Sequence, residues 1–119
     1  MEKKEPLATG DDAFLLNELA VIAHTLGEHK KAIGYYEQAL AIVRLVYGEQ
    51  HPHVALGLNN LGEAWRVLGE PQKAIGYYEQ ALVIDRAVYG DQHPDVAIDL
   101  NNLGSAYFKL GDKKGAKAY

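Results

Sequence analysis

The chain repeats itself with a period of 42 residues. Laid over residues 61–102, residues 19–60 agree at 27 of 42 positions. The run Lys31-Ala32-Ile33-Gly34-Tyr35-Tyr36-Glu37-Gln38-Ala39-Leu40 returns as Lys73-Ala74-Ile75-Gly76-Tyr77-Tyr78-Glu79-Gln80-Ala81-Leu82. His51-Pro52 returns as His93-Pro94, and Leu58-Asn59-Asn60-Leu61-Gly62 as Leu100-Asn101-Asn102-Leu103-Gly104. A third copy begins at residue 94 and is cut short at 119. A degenerate copy of the front half occupies 11–27, with Asn17-Glu18-Leu19-Ala20 in place of Asn-Asn-Leu-Gly. A period of this size marks an array in which one supersecondary unit is stacked on itself.

Each unit reads as two helices. Pro52 suits a first helical position, where its missing N–H costs nothing. Val54, Leu58, Leu61, Trp65 and Leu68 follow at gaps of four and three, one face of a 3.6-residue period, and Gly69 ends the run as a cap. A second helix is expected from Pro71 or Gln72 to Val88, with Ala74, Ile75, Tyr78, Ala81, Leu82 and Val88 buried and Gly90 closing it. Gly62 and Ala81 are placed where helices approach, and Trp65 and Tyr78 fill the space beside them. Glycines at 27, 48, 69, 90 and 111 punctuate the chain about every 21 residues, which rules out the sustained heptads of a coiled coil. No β-branched alternation long enough for a strand occurs. A helix pair that buries one face per helix must stack on the next pair, so the expected fold is an all-α solenoid.

Composition narrows the function. The net charge is −4, which is unsuited to nucleic acid. There is no cysteine, so disulfides, thiolate metal sites and cysteine nucleophiles are excluded, and the expected location is cytoplasmic. No apolar run approaches the roughly 20 residues that span a bilayer. His51 and His53 are two apart in a turn, and His93 has no partner because Asp95 replaces it. No helical pair with metal-ligand spacing supports them. His24 and His29 read as solvated. No phosphate-binding glycine loop or serine nucleophile motif is present. No enzyme activity, cofactor or metal is therefore expected.

The pattern Leu61-Gly62-x-x-Trp65, then Gly69, Ala74, Tyr78 and Ala81, resembles the tetratricopeptide repeat. The 42-residue period, together with His93-Pro94-Asp95-Val96-Ala97-x-x-Leu100-Asn101-Asn102-Leu103, is similar to the kinesin light chain subclass of that repeat. The resemblance implies a right-handed superhelix whose concave groove, lined by the first helix of each pair, binds a peptide segment of a partner protein.

If Leu58, Leu61 and Trp65 face inward, then Leu56, Asn59, Glu63, Arg66 and Val67 share a neighbouring face, which in such repeats lines the groove. Translation by 42 adds Phe14, Asn17, Val21, His24 and Thr25 in the first unit, and Ile98, Asn101, Ser105, Phe108 and Lys109 in the third. Asn17, Asn59 and Asn101 would form a row of amides able to pair with a peptide backbone. A second reading has them satisfying groups between stacked helices. Arg66 and Lys109 would read an acidic residue or terminal carboxylate, and Phe14 and Phe108 an apolar anchor. Asn60 and Asn102 are taken as structural. Arg44 and Arg86 are taken as solvated or ion-paired on an outer face.

The expected organisation is a flexible leader over 1–10 and a repeat domain over 11–119, with units at about 11–51 and 52–93 and an incomplete one at 94–119. Residues 112–119 align with Glu70 to Tyr77, the start of a second helix. An uncapped third unit would leave Leu103, Tyr107 and Leu110 short of cover and favour a homodimer. The leading expectation is a peptide-binding scaffold. The alternative is a structural unit that assembles with copies of itself.

Overall fold

The structure, a computed structural model, describes residues 10–114, with side chains to Gly111. The expected leader, apart from Gly10, and the lysines at 113, 114 and 117 fall outside this description. Five helices follow one another: α1 (Gly10–Thr25), α2 (His29–Tyr47), α3 (Pro52–Leu68), α4 (Pro71–Tyr89) and α5 (Pro94–Lys114). Each packs on its neighbours in the chain, and α3 also reaches α5. No strand occurs among the described residues, and no helix among them is long and apolar enough to cross a membrane.

The helix ends follow from local chemistry. Gly69 takes φ 96°, a left-handed conformation open to glycine at little cost. Its N–H then bonds the Arg66 carbonyl at 3.0 Å, and the Glu70 N–H bonds the Trp65 carbonyl at 2.9 Å. At the other end of α3, the ring of His51 accepts the His53 N–H at 3.0 Å, with Pro52 at the first helical position. His93 does the same for Asp95 at 3.0 Å. These histidines are helix caps, a use of the residue not anticipated from sequence. Tyr89 stacks on His93 with ring centroids 3.8 Å apart, which fixes the cap ring.

Gly111 departs from expectation. It does not break its helix, and α5 runs on to Lys114. Glycine permits a left-handed turn but does not impose one.

The core forms two connected layers. One joins α1, α2, α3 and the last turns of α4, and centres on Leu40, Leu58 and Leu61. The other joins α4 and α5, and centres on Tyr78 and Leu103. Trp65 packs against both, and the Lys73 ammonium lies 4.2 Å from its ring centroid. Gly62 meets the Tyr78 ring directly, which explains why small and large residues face each other there. Val88 is half-exposed, against expectation. It sits past Asp85, the last residue of α4 that a neighbouring helix covers.

Candidate functional site

The residues expected along the groove recur at one register on α1, α3 and α5. Phe14, Val21, Leu56, Ile98 and Phe108 are large apolar side chains left exposed, Phe14 at 62%. Glu63, Asn101, Ser105 and Lys109 are exposed beside them, and Asn17, His24, Asn59 and Arg66 are half-buried.

Four of these residues are already engaged. The Arg66 guanidinium clasps Glu63 through two bonds, Nε to Oε1 at 3.1 Å and Nη2 to Oε2 at 2.8 Å. This pairing raises the Arg66 pKa further, and Arg66 is not a free cation awaiting an acidic ligand. His24 is not simply solvated: its Nδ1 lies 3.2 Å from that of His29, with the rings edge to face. Asn59 donates from Nδ2 to Asp99 Oδ1 at 2.7 Å and accepts at Oδ1 from Asn102 Nδ2 at 3.3 Å. Its amide therefore ties α3 to α5, the structural role that the sequence left open for the asparagine row. On the far side, Arg44 pairs with Glu49 at 3.0 Å and Arg86 with Asp91 at 3.2 Å, as an ion-paired outer face would.

Two cavities open where consecutive units meet. The first, about 230 Å³, includes Gly10, Phe14, Asn17, Val43, His53, Leu56 and Gly57 in its wall. The second, about 110 Å³, is lined by Pro52, Leu56, Asn59, Asp85, Asp95, Ile98 and Asp99. Subtracting 42 from each of those seven positions returns the seven just named for the first. They are one notch, built twice by the repeat. Asn17 and Asn59 occupy the same place in each, and Leu56 belongs to both.

The two notches differ in chemistry. Val43, His53 and Gly57 of the first become Asp85, Asp95 and Asp99 of the second. Asp85 is 3% exposed and Asp99 is fully buried. Asp99 Oδ1 takes the Asn59 amide, and its Oδ2 is buried as well. Burial pushes the Asp85 carboxyl up to about 8, helped by its hydrogen bond to Asp99, by that residue's charge and by Asp95. At neutral pH Asp85 therefore keeps its proton, in its hydrogen bond to Asp99. No group of three or more His, Cys, Asp or Glu side chains among the described residues is arranged to hold a metal ion.

A second polar cluster lies between the helices of the middle unit. The Tyr78 hydroxyl donates to Glu63 Oε1 at 3.4 Å, on the carboxylate that Arg66 holds. Burial and then the Glu63 charge push Tyr78 up to about 12, so it stays neutral and structural. Tyr36 is raised by the same two causes. Both tyrosines are buried, as core packing required.

With five stacked helices and a twice-built junction described, comparison with known proteins decides the family. The chain matches the tetratricopeptide repeat family over residues 11–86 and again over 53–119. It belongs to the tetratricopeptide repeat family. Among solved structures, BtubC (BKLC) from P. vanneervenii is 33% identical, with a TM-score of 0.78 over 87% of this chain and 42% of that one. Two structures of a Podosopora anserina protein assigned to the kinesin light chains, with nearly identical TPR-like repeats, share the fold at 23% identity. Their TM-scores are 0.78 and 0.77, over 92% of this chain and 52% of theirs. The tetratricopeptide chain thus spans about half the length of the structures it matches. No curated protein gives a significant sequence match. Its repeats are of the kinesin light chain-like kind in fold, and the family is one of interaction scaffolds rather than enzymes.

The acidic notch was missed in the sequence because its residues come from three helices and two units. The signal was available in the places where the copies disagree. In a pair of units otherwise so alike, three changes from a non-acidic residue to aspartate fall at 85, 95 and 99.

Proposed function

We propose that this repeat unit docks an extended segment of a partner protein along the face shared by α1, α3 and α5. What supports the reading is the recurring notch, rimmed by the exposed Phe14, Leu56 and Ile98. Exposed apolar side chains beside concave openings are the usual mark of a binding surface. Asn17 and Asn59 stand in the notch walls, and Asn101 and Lys109 extend the same face. No chemistry is required of any residue.

Leu56 makes the test clean. It is 57% exposed, so its removal leaves the core intact, yet it walls both notches. Random 12-residue peptides displayed on phage are selected against the native chain, and the best is synthesised. Leu56→Ser is expected to weaken that peptide at least tenfold while the thermal melt stays unchanged. Undiminished binding by Leu56→Ser would place the peptide elsewhere.

A second reading is favoured by one observation on α1. Leu15, Leu19, Ile22 and Leu26 form an exposed apolar row with gaps of four, three and four. Two of their counterparts on α3, Leu61 and Ala64, are buried. Such a row suits a helix of a second copy, which would give a self-assembling scaffold. Light scattering over a concentration series tests it. A dimer that Leu19→Lys dissolves would support the row as a self-contact, and a constant mass near 13.1 kDa would remove this reading.

A further inference from the structure

We propose that the turn before α3 is an acid-released latch: protonation of His51 frees the start of α3, and with it one wall of the first notch, while the equivalent turn before α5 stays closed. Its effect on docking rests on the groove reading above; the latch itself does not.

The bond that caps α3 exists in one protonation state only. His51 Nδ1 accepts the His53 N–H at 3.0 Å, so that nitrogen is bare and the ring's proton is on Nε2. An imidazolium carries a proton on both nitrogens and accepts nothing. Imidazole is the side chain that changes charge between roughly pH 5 and 8. Its second proton removes the cap acceptor and places a positive charge at a helix N-terminus, against the helix dipole. His51 is half-buried and His53 exposed, so protons reach both rings.

The repeat supplies a contrasting copy of the same turn. His93 Nδ1 accepts the Asp95 N–H at 3.0 Å, in the register of His51 and His53. The groups around the two cap rings differ. His51 lies against Tyr47 of α2, with ring centroids 4.5 Å apart, and against His53 of α3, at 4.7 Å. Two histidines so placed repel each other once both are charged. On the α1 side the charged groups are Asp11 and Asp12, next to Gly10, which approaches the Tyr47 hydroxyl. The His53 N–H goes to His51 and not to either of them. His93 is stacked on Tyr89 of α4 and has Asp95 two residues on. The Asp95 carboxylate sits in the first turn of α5, where it offsets an imidazolium and complements the dipole. Glu49 and Asp91, in the two turns, are held by Arg44 and Arg86. One cap is thus backed by an acid, and His53 stands where that acid would back the other.

The latch reaches the groove through its neighbours. His53 walls the first notch, and so does Leu56, three residues further along α3. The Val54 and Ala55 N–H groups bond the His51 carbonyl at 2.9 and 3.3 Å, so loss of the cap loosens the turn that carries these side chains.

Amide exchange, read as protection factors at about pH 8 and about pH 5.5, tests the latch. Val54 and Val96 are matched reporters, since each is buried and each bonds the carbonyl of its cap histidine. In the native chain Val54 is expected to lose protection at least fivefold in acid, and Val96 less than twofold. Asparagine caps a helix without titrating, so His51→Asn should hold the Val54 change below twofold. Asp95→His should make Val96 respond as Val54 does. No response at Val54, equal responses of the two valines in the native chain, or a Val54 response that survives His51→Asn would each overturn the latch. Docking is read with a histidine-free peptide from the selection described above. Its affinity for the native chain should fall at least threefold between the same two pH values and stay within twofold for His51→Asn. An unchanged affinity beside a responding Val54 would overturn the link to the groove. Failure to select any peptide would instead defeat the groove reading, and the two valines would still decide the latch.

Discussion

A methyl group on residue 62 would sit 2.5 Å from Tyr78 Cε1 and 2.7 Å from Cδ1. The ring is fully enclosed and has no room to withdraw. Gly62→Ala is therefore expected to destabilise the chain by about 1–3 kcal/mol, despite the better helix propensity of alanine. Gly34 and Gly76 give the opposite case. Both lie inside helices, and a Cβ at either would meet nothing within 4 Å. Alanine at each should stabilise by about 0.5–1 kcal/mol through the unfolded chain's lost freedom. Denaturant midpoints of the three variants check this, and a destabilised Gly76→Ala would mean that the groove-distal face of α4 is covered after all.

At the scale of helices, the two junctions compare one scaffold with two fillings. Val43 and Gly57 meet between α2 and α3, whereas Asp85 and Asp99 meet between α4 and α5. The folded state keeps the Asp85 proton up to about pH 8, and the unfolded chain releases it near 3.8. The contribution of this pair to stability is thus fully present below pH 3.8 and falls as pH rises toward 8. Asp85→Val/Asp99→Gly is expected to raise stability by about 1–3 kcal/mol at pH 9, after the cost of a helical glycine, and by less at pH 5. Melts at the two pH values check it, and an equal gain at both would show that the acid pair carries no proton-linked cost.

The same comparison shows what sequence could reveal. The period alone led to helix pairs, and Pro52, Gly69 and Pro71 marked boundaries that coincide with α3 and α4. The cap role of His51 was hidden, because histidine also occurs in loops and at metal sites, and only the bond to the His53 N–H distinguishes them. Register along a helix placed Phe14, Leu56 and Ile98 on one exposed face. The hold of Glu63 on Arg66 was legible in their spacing of three on one helix, but the assignment of both residues to the groove passed over it. Register does not reveal the notch, which forms only when three helices are stacked.

The whole molecule is elongated. Its radius of gyration is 15.5 Å, where a compact chain of this length would have about 13.5 Å. Long-range closure is absent from such a stack, and each helix depends on the ones beside it. Because α3 touches α2, α4 and α5, whereas α1 packs on α2, protection should be uneven. Amides of Leu58, Leu61 and Ala64 are expected to exchange with deuterium at least tenfold more slowly than those of α1. Uniform protection across the five helices would mean that the stack opens as one cooperative body.

Leu56 stands in the wall of both notches. Whatever enters one notch presses on a side chain that shapes the other, so preferences at the two ligand positions are not independent. A bulky group in the first notch would push Leu56 toward the second and narrow it. Ligands of this surface should therefore be selected as pairs of residues, and a table of single-position preferences would mispredict their affinities.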